Sequence, residues 1–186
     1  MEISKGELRR LQSGLGAEDG RQRPLPVRVE FTAEDPSRVI AHARAVLMSV
    51  LQRTDDWPAI ERWPELLPTE FVRRCAPEPT DPERRARYGV RTWLQRRMAM
   101  TSGRNSPDGQ EPWDGQEPWA LSAWLHFFDP TAEGMGDDRS WWWWDAGSDE
   151  RHTGWIEVVT SGRPFGSGSL FWLITAGGGS DLKCSG

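Results

Sequence analysis

Four consecutive tryptophans, Trp141 to Trp144, constrain the fold of this chain more than any other feature. A helix in water would have to display indoles around its whole circumference. A strand instead sends Trp141 and Trp143 to one face and Trp142 and Trp144 to the other. Each ring buries roughly 150–250 Å² and suits a pleated surface, so the tetrad is expected in the middle of a small sheet with helices packed on it. Either both faces are then covered, or one of them is a binding surface.

The flanking sequence extends this picture. The loop GSDERHTG separates the tetrad from Trp155 to Thr160 and reads as the turn of an antiparallel hairpin. In its second strand Trp155, Glu157 and Val159 point one way and Ile156, Val158 and Thr160 the other. An earlier strand, Pro26 to Phe31, alternates Val27, Val29 and Phe31 against Arg28 and Glu30. Asp35-Pro36 is a helix start, because Asp caps free amides and Pro at the first position gives up only an unpaired N–H. Val39, Ile40, Ala43, Val46, Leu47, Val50 and Leu51 then form one apolar stripe at helical spacing.

Prolines 58, 64, 68, 77, 79 and 82 leave room only for short helices, at about Ala59 to Trp63 and Thr69 to Cys75. Asp81-Pro82-Glu83 opens a further helical segment with Ala86, Val90, Trp93 and Leu94 on one stripe. Asp-Gly-Gln-Glu-Pro-Trp occurs twice in tandem, at 108–113 and 114–119, and is too short a period for a repeat architecture. It reads as a loop duplication anchored by Trp119, which abuts Leu121, Trp124, Leu125 and Phe128 at helical spacing. Ser167 to Ala176 reads as a final helix, with a strand through LFWLIT as its competitor. The expected fold is α+β: a small, mainly antiparallel three-stranded sheet (Pro26 to Phe31, Arg139 to Asp145, Trp155 to Thr160) packed by one long helix and several short ones.

A length of 186 residues suits one domain, placed at 25–180 between a mobile N-terminal arm, 1–24, and a C-terminal tail, 181–186. The arm is expected from Gly6, Gly14, Gly16, Gly20 and Pro24 among charges, with at most a helical turn around Glu7 to Gln12. No apolar run is long enough to span a membrane, and the first residues carry no apolar core of a secretory signal, so a soluble, cytoplasmic protein is expected. Two cysteines, Cys75 and Cys184, make neither a disulfide framework nor a zinc site. They read as a core thiol and a tail thiol, and no cofactor or metal is expected. A net charge of −5 argues against nucleic acid or an anionic membrane as partner.

No motif specifies a reaction. His126 and Asp129, at i and i+3, together with His152 and the carboxylates near the hairpin, hold the residue types of a general acid and base, but their spacing matches no metal pattern. Gly166-Ser167-Gly168-Ser169 lacks the lysine and spacing of a phosphate loop and reads as a turn and cap. Charge is segregated: seven Arg and no acid in 84–104, against eleven acids and one base in 107–150. Acidic loops carrying Asp137, Asp138, Asp149 and Glu150 beside Trp113, Trp142 and Trp144 suit a basic protein partner, because aromatics anchor interfaces and opposite charge steers association.

In LPTEFVRRCAPEPT, EPWALSAWLHFFDP, WWWWDA and GRPFGSGSLFWLITAGG the chain resembles a group of uncharacterised actinobacterial proteins. The resemblance implies a shared fold over the last two thirds and assigns no site residue. The leading functional expectation is a non-enzymatic protein-binding module of the immunity or inhibitor type. The alternatives are a hydrolase using His126, Asp129 and His152, and a sugar or aromatic-ligand binder on a Trp face.

Overall fold

The computed structural model describes residues 2–14, 26–79, 118–131, 139–149, 151–162 and 165–185. The helical segment expected after Asp81, most of the tandem repeat and the acidic loop 132–138 lie outside them. Within the described residues the order is α1 (Glu2–Ser13), β1 (Val27–Thr32), α2 (Pro36–Leu51), a 3-10 turn (Ile60–Arg62), α3 (Trp63–Leu66), α4 (Thr69–Arg74), α5 (Leu121–Leu125), β2 (Trp141–Ser148), β3 (Thr153–Thr160), α6 (Gly168–Ala176) and β4 (Ser180–Ser185). The class is α+β, as the alternation of periods implies. No helix among the described residues is long and apolar enough to cross a membrane.

The sheet has four antiparallel strands in the order β2-β3-β1-β4, one more than the pattern indicates. Pairing of Val27 with Val158 and of Val29 with Ile156 puts the apolar residues of both strands on one face, and all four are nearly or fully buried there. Trp141 and Trp143 join that face and are 0 % exposed. The fourth strand is formed by the residues expected as a tail. SDLKCS alternates weakly, and its entry is irregular: Asp181 is left-handed at φ 52° and the register shifts between Glu30 and Thr32. Asp tolerates that conformation, and its Oδ2 accepts the Thr32 hydroxyl at 2.7 Å, pinning the strand start.

Helix α2 begins as its sequence demands, with Asp35 Oδ1 accepting the Arg38 N–H at 3.0 Å and Pro36 in the first turn. Its full apolar stripe, Val39 to Leu51, is buried. Helix α6 resolves the helix-or-strand ambiguity in favour of helix. It is apolar all round because it runs through the core, with Ser169, Leu170, Phe171, Trp172, Leu173 and Ile174 all buried. The buried Ser169 serves two indoles: its hydroxyl accepts from Trp141 Nε1 and its carbonyl from Trp124 Nε1, both at 3.0 Å. Trp124 also meets Phe71 edge-on at 4.8 Å and Phe128 at 4.4 Å, so the α4, α5 and sheet cores are one aromatic cluster.

The largest departure from the sequence reading is at the N-terminus. In place of an arm with one helical turn, a 12-residue helix packs on β2 and α2. Leu11 enters the core and Leu8 packs against it, but apolar residues are few in this helix, and charge makes much of the docking. Glu7 is fully buried and makes a bidentate pair with Arg139, 3.0 and 3.1 Å, both side chains 0 % exposed. Glu7 Oε1 also accepts the Trp143 N–H at 2.7 Å, while Arg10 Nε donates to the Trp143 carbonyl at 3.3 Å. Removing one member of a buried pair strands the other charge, at a cost of about 3–5 kcal/mol. Glu7→Ala should therefore lower the urea midpoint sharply, and Glu7→Leu combined with Arg139→Met should recover part of the loss. Equal midpoints for wild type and Glu7→Ala would contradict the clamp.

His42 on α2 supplies a second stability test. Its ring lies 6.0 Å from Phe71, and its Nε2 is buried with no hydrogen-bond partner among the described residues. Burial lowers its pKa from the ordinary 6.5, with Glu70 opposing and Arg38 and Arg74 adding to the shift. The unfolded chain then binds the proton first, so the contribution of His42 is fully present above about pH 6.5 and is lost as pH falls through the lowered folded value. The urea midpoint should drop as pH falls below about 6.5, and His42→Gln should flatten that drop.

Candidate functional site

Proline spacing shapes the site. Pro58, Pro64 and Pro68 cut the stretch after α2 into the 3-10 turn, α3 and α4, none long enough to close over its neighbours. The chain leaving α4 is tied to the start of α5 by a parallel bridge between Ala76 and Ala120, the Ala76 N–H donating to the Trp119 carbonyl at 2.9 Å. Between these walls lies a groove of about 650 Å³.

Its apolar lining is provided by Trp57, Ile60, Val72, Leu121 and Leu125. Trp63 is 0 % exposed, and its indole N–H donates to the Pro58 carbonyl at 3.2 Å. It holds the half-buried Trp57 ring at 4.7 Å. Glu61, Glu78 and Asp129 bring carboxylates to the groove, and the described lining contains no Lys or Arg. Two of these carboxylates are fixed in place. Glu78 accepts the Ser122 N–H at 2.9 Å and the Ser122 hydroxyl, clamping the first turn of α5. Asp129 Oδ1 accepts the N–H and hydroxyl of Thr131 at 2.8 and 2.7 Å.

The groove thus brings His126 and Asp129 together with a serine and a cysteine, without linking them for catalysis. The His126 side chain is exposed, lies edge-on to Phe127 at 6.3 Å, and makes no hydrogen bond among the described residues. The Ser122 hydroxyl is paired with Glu78 rather than an imidazole. The Cys75 thiol donates to the Phe71 carbonyl at 3.5 Å, and burial, reinforced by Glu78, pushes its pKa up to about 12. Such a thiol is inert as a nucleophile.

His152 is not part of this groove. It lies exposed in the β2–β3 turn, where its carbonyl accepts the Ala33 N–H at 2.9 Å. Asp149 builds that same turn: its Oδ1 accepts the N–H groups of Arg151 and Thr153 at 3.0 and 2.9 Å, and these bonds hold its carboxyl below the usual range. Trp144 is buried rather than presented, at 6 % exposure, with the Arg10 guanidinium 4.6 Å from its ring. A register shift between Trp143 and Asp145 breaks the alternation that would have exposed it. Trp142 is half-buried and lies opposite Val159, on the sheet face away from Val27 and Val29. Trp113, Asp137, Asp138 and Glu150 lie outside the described residues. Among the described residues no group of three or more His, Cys, Asp or Glu side chains is placed to hold a metal ion.

Trp57, Glu61 and Glu78 carry no signal of a site in the sequence. They are brought to Ser122, His126 and Asp129, more than forty residues away, by the Ala76–Ala120 bridge and the Glu78–Ser122 hydrogen bonds. The thiol state is directly testable. At about pH 8, roughly one Cys75 in ten thousand is thiolate. In a Cys184→Ser protein, iodoacetamide should leave native Cys75 unmodified and alkylate it promptly in denaturant. Rapid native alkylation would overturn the assignment of an inert thiol. No protein-family model, curated protein or solved structure matches this chain.

Proposed function

We propose that this protein is a non-enzymatic binding module that takes a basic segment of a partner protein into the groove between α3–α4 and α5. The observation that carries the reading is the composition of that groove: three carboxylates and no Lys or Arg among its described lining, around an aromatic and aliphatic floor. A Lys or Arg side chain suits both parts, its stem lying on Trp57 and Ile60 and its charged end reaching Glu61, Glu78 or Asp129. The volume of about 650 Å³ falls within the roughly 300–1,000 Å³ of ordinary ligand sites and takes a few side chains of an extended segment. The net charge of −5 adds long-range attraction for a cationic partner.

An immunity or inhibitor role fits these features, since a pre-shaped acidic groove occupies a basic surface without any chemical step. The pairing of Ser122 with Glu78 and the unlinked His126 favour this reading over a hydrolase.

Titration calorimetry with Arg- and Lys-rich peptides bearing one aliphatic side chain tests the proposal. Cationic peptides should bind, and uncharged analogues of the same length should not. Glu61→Gln and Asp129→Asn should each weaken binding roughly threefold to tenfold at low salt, with the difference shrinking as salt screens the charges. Trp57→Ala should cost about tenfold or more. Equal binding of charged and uncharged peptides, or unchanged affinity in all three variants, would rule the proposal out.

A further inference from the structure

A second groove, of about 700 Å³, lies between α2, the end of α1 and the outer edge of β2. Its chemistry is the reverse of the first. Leu11, Ile40, Ala41, Ala45, Met48 and Ala146 make it apolar, and Arg44 is the one ionisable side chain on its described lining. Arg44 is half-buried, with its guanidinium 5.6 Å from the centre of the Trp143 ring. Its Nε is closed off from solvent with no acceptor, and no described carboxylate pairs with it. The indole face compensates the positive charge but accepts none of its N–H groups in the plane of the guanidinium. The ring lies beside the guanidinium and leaves its Nη groups to the groove that Arg44 lines.

We propose that this groove binds a small amphipathic anion, an aliphatic carboxylate whose head pairs with Arg44 and whose chain lies along Ala45 and Met48 toward Gln52. A guanidinium matches a carboxylate with two parallel hydrogen bonds, and a lone cation in apolar surroundings calls for a single negative charge. Phosphate-bearing ligands suit the site poorly. They carry more charge than one Arg offsets, and the nearby N-terminus of α2 is already capped by the acidic Asp35. From Arg44 to Gln52, which also lines the groove, the helix rises about 12 Å, the length of an extended chain of about ten carbons. The exposed Ala45 keeps that path open.

Calorimetry with decanoate, below its micelle concentration, is the test. One decanoate should bind per chain, with acetate and decanol each at least tenfold weaker, since neither offers both head and tail. Arg44→Met should weaken decanoate binding at least tenfold. Because that change also removes the cation from Trp143, Ala45→Trp serves as the second variant: it fills the groove from an exposed position, leaves Arg44 in place, and should also cost at least tenfold. Glu65→Gln, at an exposed acid that lines neither groove, should leave decanoate affinity unchanged. Absence of saturable decanoate binding, equal binding of decanol, or retained affinity in either variant with a native circular dichroism spectrum would overturn the proposal.

Discussion

The buried Glu7–Arg139 pair is the constraint on which the rest of the structure depends. Strand β2 is an edge strand, so its outer N–H and C=O groups lack a neighbouring strand. At Trp143 two side chains of α1 do that neighbour's work, Glu7 accepting the N–H and Arg10 donating to the carbonyl. A bare carboxylate could not sit there, because desolvating it costs several kcal/mol, on the order of what a good ion pair returns. Arg139 neutralises it with two hydrogen bonds, and its own cation is faced by Phe128 at 4.7 Å and Trp141 at 5.6 Å. Further along the edge, Asp145 Oδ1 accepts the Ala146 N–H at 2.8 Å and the hydroxyls of Ser37 and Ser148 pair at 2.9 Å. These contacts occupy the edge at Trp143 and Ala146.

This arrangement leaves the grooves in different electrostatic settings. Helix α1 supplies Leu11 to one wall of the Arg44 groove, and β2 supplies Ala146 to the other. Clamping α1 therefore sets one wall of that groove. The acidic groove is built from proline-broken helices and depends on the Glu78–Ser122 clamp and the Ala76–Ala120 bridge. A chain of net charge −5 thus holds one groove lined by carboxylates and one whose described lining has Arg44 as its single ionisable side chain, each with an apolar surface beneath the charge. The two grooves differ in the sign of their lining charge, while their apolar components are similar.

Much of the fold was legible because it rests on local periodicity. The stripe Val39 to Leu51, the Asp35-Pro36 start, the alternation of β1 and the Trp hairpin each state their element within a few residues, and each is present. Strand β4 was not legible: its hydrogen bonds are made to β1 across some 150 positions, and its irregular entry at Asp181 erases the alternation. Helix α1 was hidden for a related reason. A helix that docks through Glu7 and Arg10 rather than an apolar stripe looks, from sequence, like a solvated segment. Of the candidate site, His126 and Asp129 were identifiable by type and spacing. Trp57, Glu61 and Glu78 were not, because nothing local distinguishes a groove-lining acid from a solvated one.

By itself the sequence determined the secondary structure of the strongly periodic segments and the aromatic character of the core, since backbone geometry and indole burial act over neighbouring residues. Only the tertiary structure decided which charges are buried, which tryptophans are covered, and which side chains share a groove. Glu7 and Arg139, 132 positions apart, became one ion pair. Trp144, expected on an open face, was buried by a register shift and an arginine from α1. Electrostatic and packing energies depend on distance in space and on exclusion of water, and neither quantity is defined until the chain has folded.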